Sequence, residues 1–313
     1  MWSAAVLLVV ILPGRSLVQA SIGDSQFSYR KCLSECRDRY DCAPDFSSIS
    51  WGIQPCFSCK YDCMWLTEEA FRAEHGFTPQ FHGKWPFAAI QTSSIAIQEP
   101  ASVVFSLLNL GTVLLFHYRL GPYSNLPDKY LWRSYCKAGI VTWISSTAFH
   151  CVDCWHTERL DYFFACFLIF ASFVVAAIFT LPELSSGSYG SFYRSALTFL
   201  CAILWVHHVY GLLIHFDYGY NMFVCIMVSI ATTALYTRYF LARFRSNQRL
   251  TRGDQMLLKA MLLLNGSVLF ELFDFAPIWW TIDAHALFHL ATVPVPLMIH
   301  KALRLYDKER FTA

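Results

Sequence analysis

His285 and His289 stand four residues apart, and His150 follows Ser146 by the same interval. On a helix this spacing puts both members of a pair on one face, a turn apart. Two neutral imidazoles so placed can bind one zinc ion at about 2.0–2.1 Å, and His150, from a neighbouring helix, can supply a third nitrogen. Three protein ligands leave one coordination position open, the arrangement of a catalytic rather than a structural zinc. Ser146 can point a hydroxyl at the same centre. Asp161 has three readings: it caps a helix, pairs with Arg159, or hydrogen-bonds a metal-held water. Glu99 either caps a helix or supports the site, and Asp283 stands just before the histidine pair. The plainer reading of an HxxxH pair is two hydrogen-bonded histidines at a membrane interface. His207 and His208, in the fourth span, are rival ligands but are expected to be packing or hydrogen-bonding residues, and His156 and His215 read as loop or interface residues.

The elements that must position these groups belong in a bilayer. Of 313 residues, 56% are hydrophobic, 17% aromatic and only 15% charged, against roughly 25% charged in soluble domains. A net charge of +2, with no basic domain, glycine-rich phosphate loop or finger spacing, excludes nucleic acid as a partner. Apolar stretches long enough to cross a hydrocarbon core of about 30 Å are expected at seven places: 101–120, 132–151, 161–181, 193–214, 219–241, 255–275 and 281–302.

Orientation follows from basic residues in the short loops. Arg238, Arg243, Arg245, Arg249 and Arg252 cluster after the fifth span, and Lys301, Arg304, Lys308 and Arg310 around the tail. Arg119, Lys129 and Arg133 follow the first span, whereas the loops after the second, fourth and sixth are poor in Lys and Arg. The tail is therefore expected in the cytosol and the N-terminus in the lumen. Residues 1–20 read as a secretory signal ending Val18-Gln19-Ala20, which gives the same orientation. Four helix ends then carry polar groups at one luminal level: Ser145 to His150, Asp161, Glu271 with Asp274, and Asp283 with His285 and His289.

Residues 21–98 are polar and hold six of the twelve cysteines: Cys32, Cys36, Cys42, Cys56, Cys59 and Cys63. An even number in a short luminal segment reads as a disulfide framework, whose pairing is open among fifteen possibilities. The alternative is a structural zinc held by Cys56, Cys59 and Cys63. For Cys151 and Cys154, a CxxC, a disulfide or a pair of thiols is expected rather than metal ligation. Asn265-Gly266-Ser267 matches a glycosylation sequon but falls inside the sixth span, where it carries no weight.

Ser146-x3-His150, Asp161 and His285-x3-His289, spread over seven spans, resemble the CREST superfamily of membrane metal hydrolases, which includes alkaline ceramidases and adiponectin-type receptors. Phe81-His82-Gly83-Lys84-Trp85-Pro86-Phe87, Gln98-Glu99-Pro100-Ala101-Ser102, Phe216-Asp217-Tyr218-Gly219-Tyr220-Asn221, Asp283-Ala284-His285-Ala286 and the cysteine-rich segment are similar to its PER-like family. The CxxC and His156 lie outside that pattern. The resemblance implies an all-α, seven-transmembrane bundle of the CREST/alkaline-ceramidase type, with a small disulfide-stapled luminal N-terminal segment. The expected divisions are 1–20 signal peptide, 21–98 cysteine-rich segment, 99–303 bundle and 304–313 cytosolic tail. It further implies Zn2+ on His150, His285 and His289, with Asp161 as acid/base and Ser146 in support. The implied activity is removal of the sn-2 acyl chain from the lipid of GPI-anchored proteins, which with membrane lipid are the expected partners. The expected location is the Golgi membrane, with the endoplasmic reticulum as alternative. A ceramidase-like amidase and a non-catalytic lipid receptor or chaperone are the rival readings.

Overall fold

The structure, a computed structural model, describes residues 22–121, 128–184, 187–246 and 249–311. The signal sequence expected at 1–20 lies outside the described residues. The chain divides into two compact units.

The first unit takes in residues up to Val103, His150–Trp155 and Asp274–His285. A single turn, α1 (Ile22–Ser25), leads into α2 (Phe27–Tyr40), a 3-10 turn at Ile49–Gly52 and α3 (Cys56–His75). Gly76 stops α3 in the left-handed region at φ 79°, which glycine adopts without a Cβ clash. Cys32 and Cys36 are one turn apart on α2, and Cys59 and Cys63 one turn apart on α3. Antiparallel helices bring such pairs face to face, and the bridges nest: Cys32–Cys63 and Cys36–Cys59 between the helices, with Cys42–Cys56 closing the connection. All six cysteines are therefore consumed in disulfides, which excludes the zinc alternative on Cys56, Cys59 and Cys63. Around the bridges Tyr29, Leu33, Trp51 and Phe81 form a small buried core. A core this size needs such staples, each contributing about 2–4 kcal/mol. A two-residue antiparallel hairpin follows, β1 (Ile90–Gln91) on β2 (Ala96–Ile97), with Ile90 opposite Ile97; no strand was expected here.

The second unit is helical: α4 (Pro100–Arg119), α5 (Lys129–Cys151), α6 (Trp155–Thr180), α7 (Gly187–Ile214), α8 (Tyr218–Arg245), α9 (Arg252–Leu272), α10 (Ala284–Thr292) and α11 (Val295–Phe311). The boundary between units falls inside α4, α5, α6 and α10, so neighbouring residues of one helix can belong to different units. α6 is the shared element of this unit's core. Its Val175 joins Phe116, Trp132, Ala260 and Ile299, while Ala176 joins Tyr236, Leu257 and Ala302. α9 starts with a capping box, Thr251 Oγ1 accepting the Asp254 N–H at 3.1 Å and Asp254 Oδ2 accepting the Thr251 N–H at 3.0 Å, which satisfies two otherwise orphaned donors. Asp254 Oδ1 also accepts the hydroxyls of Tyr239 and Tyr306, both at 2.8 Å. The sequon at Asn265 lies within α9.

Among the described residues, six stretches are long and apolar enough to cross a membrane: α4, α6, 190–214 of α7, α8, α9, and 284–308 across α10 and α11. The chain is thus a multi-pass membrane protein. The second of the seven expected spans, at 132–151, forms helix α5 but falls short in apolarity; Lys129, Arg133 and Lys137 and a polar stripe of Thr142, Ser146 and His150 account for the deficit. The expected last span is interrupted at Val293-Pro294, because proline has no N–H to continue the helical ladder. α11 then runs on through the expected tail to Phe311.

Candidate metal centre

The last two residues of α5, His150 and Cys151, belong to the first unit. Helix ends leave carbonyls without intrahelical donors, and two of these are taken by residues 98 and 99. The Gln98 N–H donates to the Cys151 carbonyl and the Glu99 N–H to the His150 carbonyl, each at 3.1 Å. Glu99 therefore lies against His150 before its side chain is considered. Its Oε2 is 2.6 Å from His150 Nδ1. Its Oε1 accepts from Lys84 Nζ at 2.6 Å, and Lys84 also reaches Asp153 Oδ2 at 3.0 Å. Burial alone raises the Glu99 carboxyl, but Lys84 and then His150 outweigh it and hold it well below the usual carboxylate range. For Lys84, burial works against the charge, while Asp153 and Glu99 keep the ammonium above its ordinary range.

Lys84 is delivered by a tight turn. Phe81 and Lys84 exchange backbone hydrogen bonds at 2.7 and 3.0 Å, and the two residues between them, His82 and Gly83, have φ of 50° and 75°. Positive φ at both central positions is the type I′ hairpin geometry. Asp274 steadies the flanks, accepting from Gln80 Nε2 at 2.9 Å and Trp85 Nε1 at 2.7 Å.

His285 lies in the first turn of α10, its ring centroid 5.2 Å from that of His150. One turn on, His289 is buried. Its Nδ1 shares a 2.9 Å hydrogen bond with Ser106 Oγ, which lies 3.2 Å from Ser146 Oγ. Asn109 Nδ2 donates to the His289 carbonyl at 2.7 Å, and Trp143 meets the His289 ring edge-on at 5.3 Å. One ring nitrogen from each of His150, His285 and His289 lies within 4.8 Å of the others, so the donors are close enough to share one ion. Glu99 binds Nδ1 of His150 and Ser106 binds Nδ1 of His289, so an ion shared by these two rings would be met through Nε2. Ligating histidines are held by such partners on the other nitrogen. The donor set therefore fits a metal ion.

The remaining expected residues fall as follows. Asp161 is half-buried in the second turn of α6, and Asp283 is buried immediately before α10. His208 is buried with Nε2 3.0 Å from Asn221 Oδ1, whereas His207, His156 and His215 are exposed. Cys151 and Cys154 are thiols, not a disulfide. Lys84, Ser106 and Asn109 had no place in the residue-level reading. Ser102, Ser106 and Asn109 are one face of an apolar helix, and polar groups repeated on one face of a span were the signal for them.

The Per1-like family model matches residues 46–304. A protein of Cricetulus griseus described as GPI-specific phospholipase A2-like PGAP3 is 33% identical over 96% of this chain and 93% of its own length. The Mus musculus protein of the same description is 34% identical, with the same coverage. Post-GPI attachment to proteins factor 3 of Drosophila melanogaster is 31% identical over 97% of this chain and 94% of its own. No solved structure matches. A family match of this extent and full-length relatives above 30% identity agree, and the chain belongs to the Per1-like family.

Proposed function

We propose that this protein is a metal-dependent ester hydrolase that removes the sn-2 acyl chain from the lipid of GPI-anchored proteins. The observation that carries the reading is the set of three histidine nitrogens within 4.8 Å of one another, with Nδ1 of two rings already engaged by Glu99 and Ser106. The relatives' description as GPI-specific phospholipase A2-like supports the substrate class.

His150, His285 and His289 would hold zinc. When bound, zinc polarises an ester carbonyl and lowers the pKa of water toward about 7. Glu99 fixes the His150 tautomer and ring plane, and Lys84 fixes Glu99. Ser106 does the same for His289, and Asn109 holds that residue's backbone. Asp161 acts as general base toward the attacking water and returns the proton to the leaving alkoxide. Ser146 donates its hydroxyl to the developing oxyanion. The cysteine-rich segment and the histidines face the lumen of the Golgi, or alternatively of the endoplasmic reticulum, as expected for a substrate whose protein part is luminal. The arginine-rich connection after α8 faces the cytosol.

The test is His289→Ala in cells lacking the native protein, read by mass spectrometry of GPI lipids and metal analysis of the purified chain. Bound metal should fall, and deacylation should drop by more than the roughly 10–100-fold that loss of an outer-shell partner costs. Unchanged sn-2 deacylation sinks the hydrolase reading. Hydrolysis of ceramide in preference to GPI lipid by the wild type would replace the ester substrate with an amide.

A further inference from the structure

The first unit contains eight cysteines, and six of them form its three bridges. The other two, Cys151 and Cys154, are thiols, and neither the bridges nor the function proposed above uses them. They stand either side of the bend that joins α5 to α6, with only Val152 and Asp153 between them. A CxxC at a bend is a spacing at which one chain can carry out thiol–disulfide exchange. Cys151 is half-buried, whereas Cys154 is 3% exposed. The outer thiol can meet a reagent, and the inner one can resolve the product.

The segment is fixed at both ends. The Cys151 carbonyl accepts the Gln98 N–H at 3.1 Å, and the Trp155 N–H donates to the Ser47 carbonyl at 2.8 Å. Val152 is wedged against Gly52, where a Cβ would lie 2.3 Å from Val152 Cγ1. A disulfide needs its sulfurs about 2.0 Å apart and its Cβ atoms about 3.5–4.5 Å apart, and sulfurs that are not bonded stand farther apart than that. With the flanks and Val152 held, Asp153 absorbs the movement. Its Oδ2 lies 3.0 Å from Lys84 Nζ, the ammonium that also donates to Glu99 Oε1 at 2.6 Å.

We propose that Cys151 and Cys154 are a redox-active dithiol, closed to a disulfide by exchange, and that closure draws Asp153 away from Lys84. The co-reactant is a disulfide, either of a small thiol or of a thiol–disulfide oxidoreductase. The Cys151 thiol gives up its proton and attacks one sulfur of that disulfide. The donor S–S bond breaks, one donor thiol leaves with a proton, and a mixed disulfide forms on Cys151. The Cys154 thiol gives up its proton, attacks the Cys151 sulfur and displaces the second donor thiol, which takes that proton. Two cysteine thiols are oxidised and one donor disulfide is reduced. The luminal orientation proposed above places the pair in a compartment that holds such donors, and the exchange needs no hydrolase activity. Of the two carboxylates on Lys84, Glu99 then remains, the one that holds His150 Nδ1 at 2.6 Å. The oxidation state of the CxxC is thereby read by the side chains that position His150.

The experiment uses the full chain in lipid nanodiscs, equilibrated in glutathione buffers from fully reduced to fully oxidised. Wild type is compared with Cys154→Ser, Asp153→Asn and the double variant Cys151→Ser/Cys154→Ser. Thiols are blocked with iodoacetamide, lysines are pulse-labelled with an acetylating reagent, and both are read by peptide mass spectrometry. Wild type should pass from two blocked thiols to a Cys151–Cys154 bridge in one two-electron transition, with the other three bridges unchanged. Cys154→Ser should trap glutathione on Cys151. Acetylation of Lys84, whose side chain is 27% exposed, should at least double across the wild-type transition. It should be flat in the double variant and already raised in Asp153→Asn under reducing conditions. The proposal is overturned if the pair stays dithiol in fully oxidised buffer, if folded Cys154→Ser traps no glutathione, or if the bridge forms with Lys84 labelling unchanged. Should the serine variants fail to fold, the wild-type bridge and its Lys84 labelling decide alone. No arm reads deacylation, so failure of the hydrolase reading leaves each of these outcomes as it stands.

Discussion

A carboxylate 2.6 Å from an imidazole nitrogen does two things at once: it chooses the tautomer and fixes the ring plane. For a residue that offers its other nitrogen to a metal, both matter as much as the nitrogen itself. Glu99→Gln keeps a hydrogen-bonding group but removes the charge, and metal affinity measured by competition with a chelator should fall about 10–100-fold. Lys84 acts one step further out. Lys84→Met leaves the buried Glu99 carboxylate without its ammonium, and breaking a buried pair costs about 3–5 kcal/mol. With the Lys84 side chain 27% exposed, the low end is expected, read as a drop in thermal midpoint that Lys84→Arg partly restores. An unshifted midpoint for Lys84→Met would mean that Glu99 is satisfied without it.

At the scale of elements, three features set where the side chains go. The nested bridges between α2 and α3 are the first. Removing Cys36–Cys59 by double serine substitution should cost about 2–4 kcal/mol, seen as earlier unfolding with the other two bridges intact. The second is the close approach of α9 and α11, where a Cβ on Gly253 would lie 2.6 Å from the Tyr306 ring. Gly253→Ala must displace Tyr306 and with it the 2.8 Å hydroxyl bond to Asp254, at about 1–3 kcal/mol; circular-dichroism melting checks it. The third is the turn at His82-Gly83, where Gly83 at φ 75° tolerates no side chain without strain.

Across the whole chain, what the sequence made legible depended on how far each feature reaches. Apolar stretches are local in sequence, so the membrane helices could be placed from residue order alone. α5 was placed as a helix of the right length, but its hydropathy is diluted by the polar stripe that carries Ser146 and His150. The break at Pro294 was not expected within 281–302, although a missing N–H is a property of one residue. The pairing of the cysteines was not legible, because it requires knowing that α2 and α3 are both helical and antiparallel. Lys84 was visible only inside a family motif; its partners Glu99 and Asp153 are 15 and 69 positions away, and no periodicity connects them. The proposed orientation is testable at this scale. A glycosylation sequon built into the β1–β2 turn should acquire glycan, and one built beside Arg249 should not. The reverse pattern would put the histidines on the cytosolic side and remove them from any luminal substrate.

Residue 99 holds residue 150 twice, by its backbone N–H on the carbonyl and by its carboxylate on the ring. Two attachments at different radii from one backbone constrain rotation as well as distance. Thermal motion of the α5 terminus therefore carries carboxylate and imidazole together, as a common displacement rather than a relative one. Rotation of the ring relative to the carboxylate, which sets the direction of the Nε2 lone pair, is restricted by both contacts. A histidine tethered by its side chain alone would pass that motion on to whatever it coordinates.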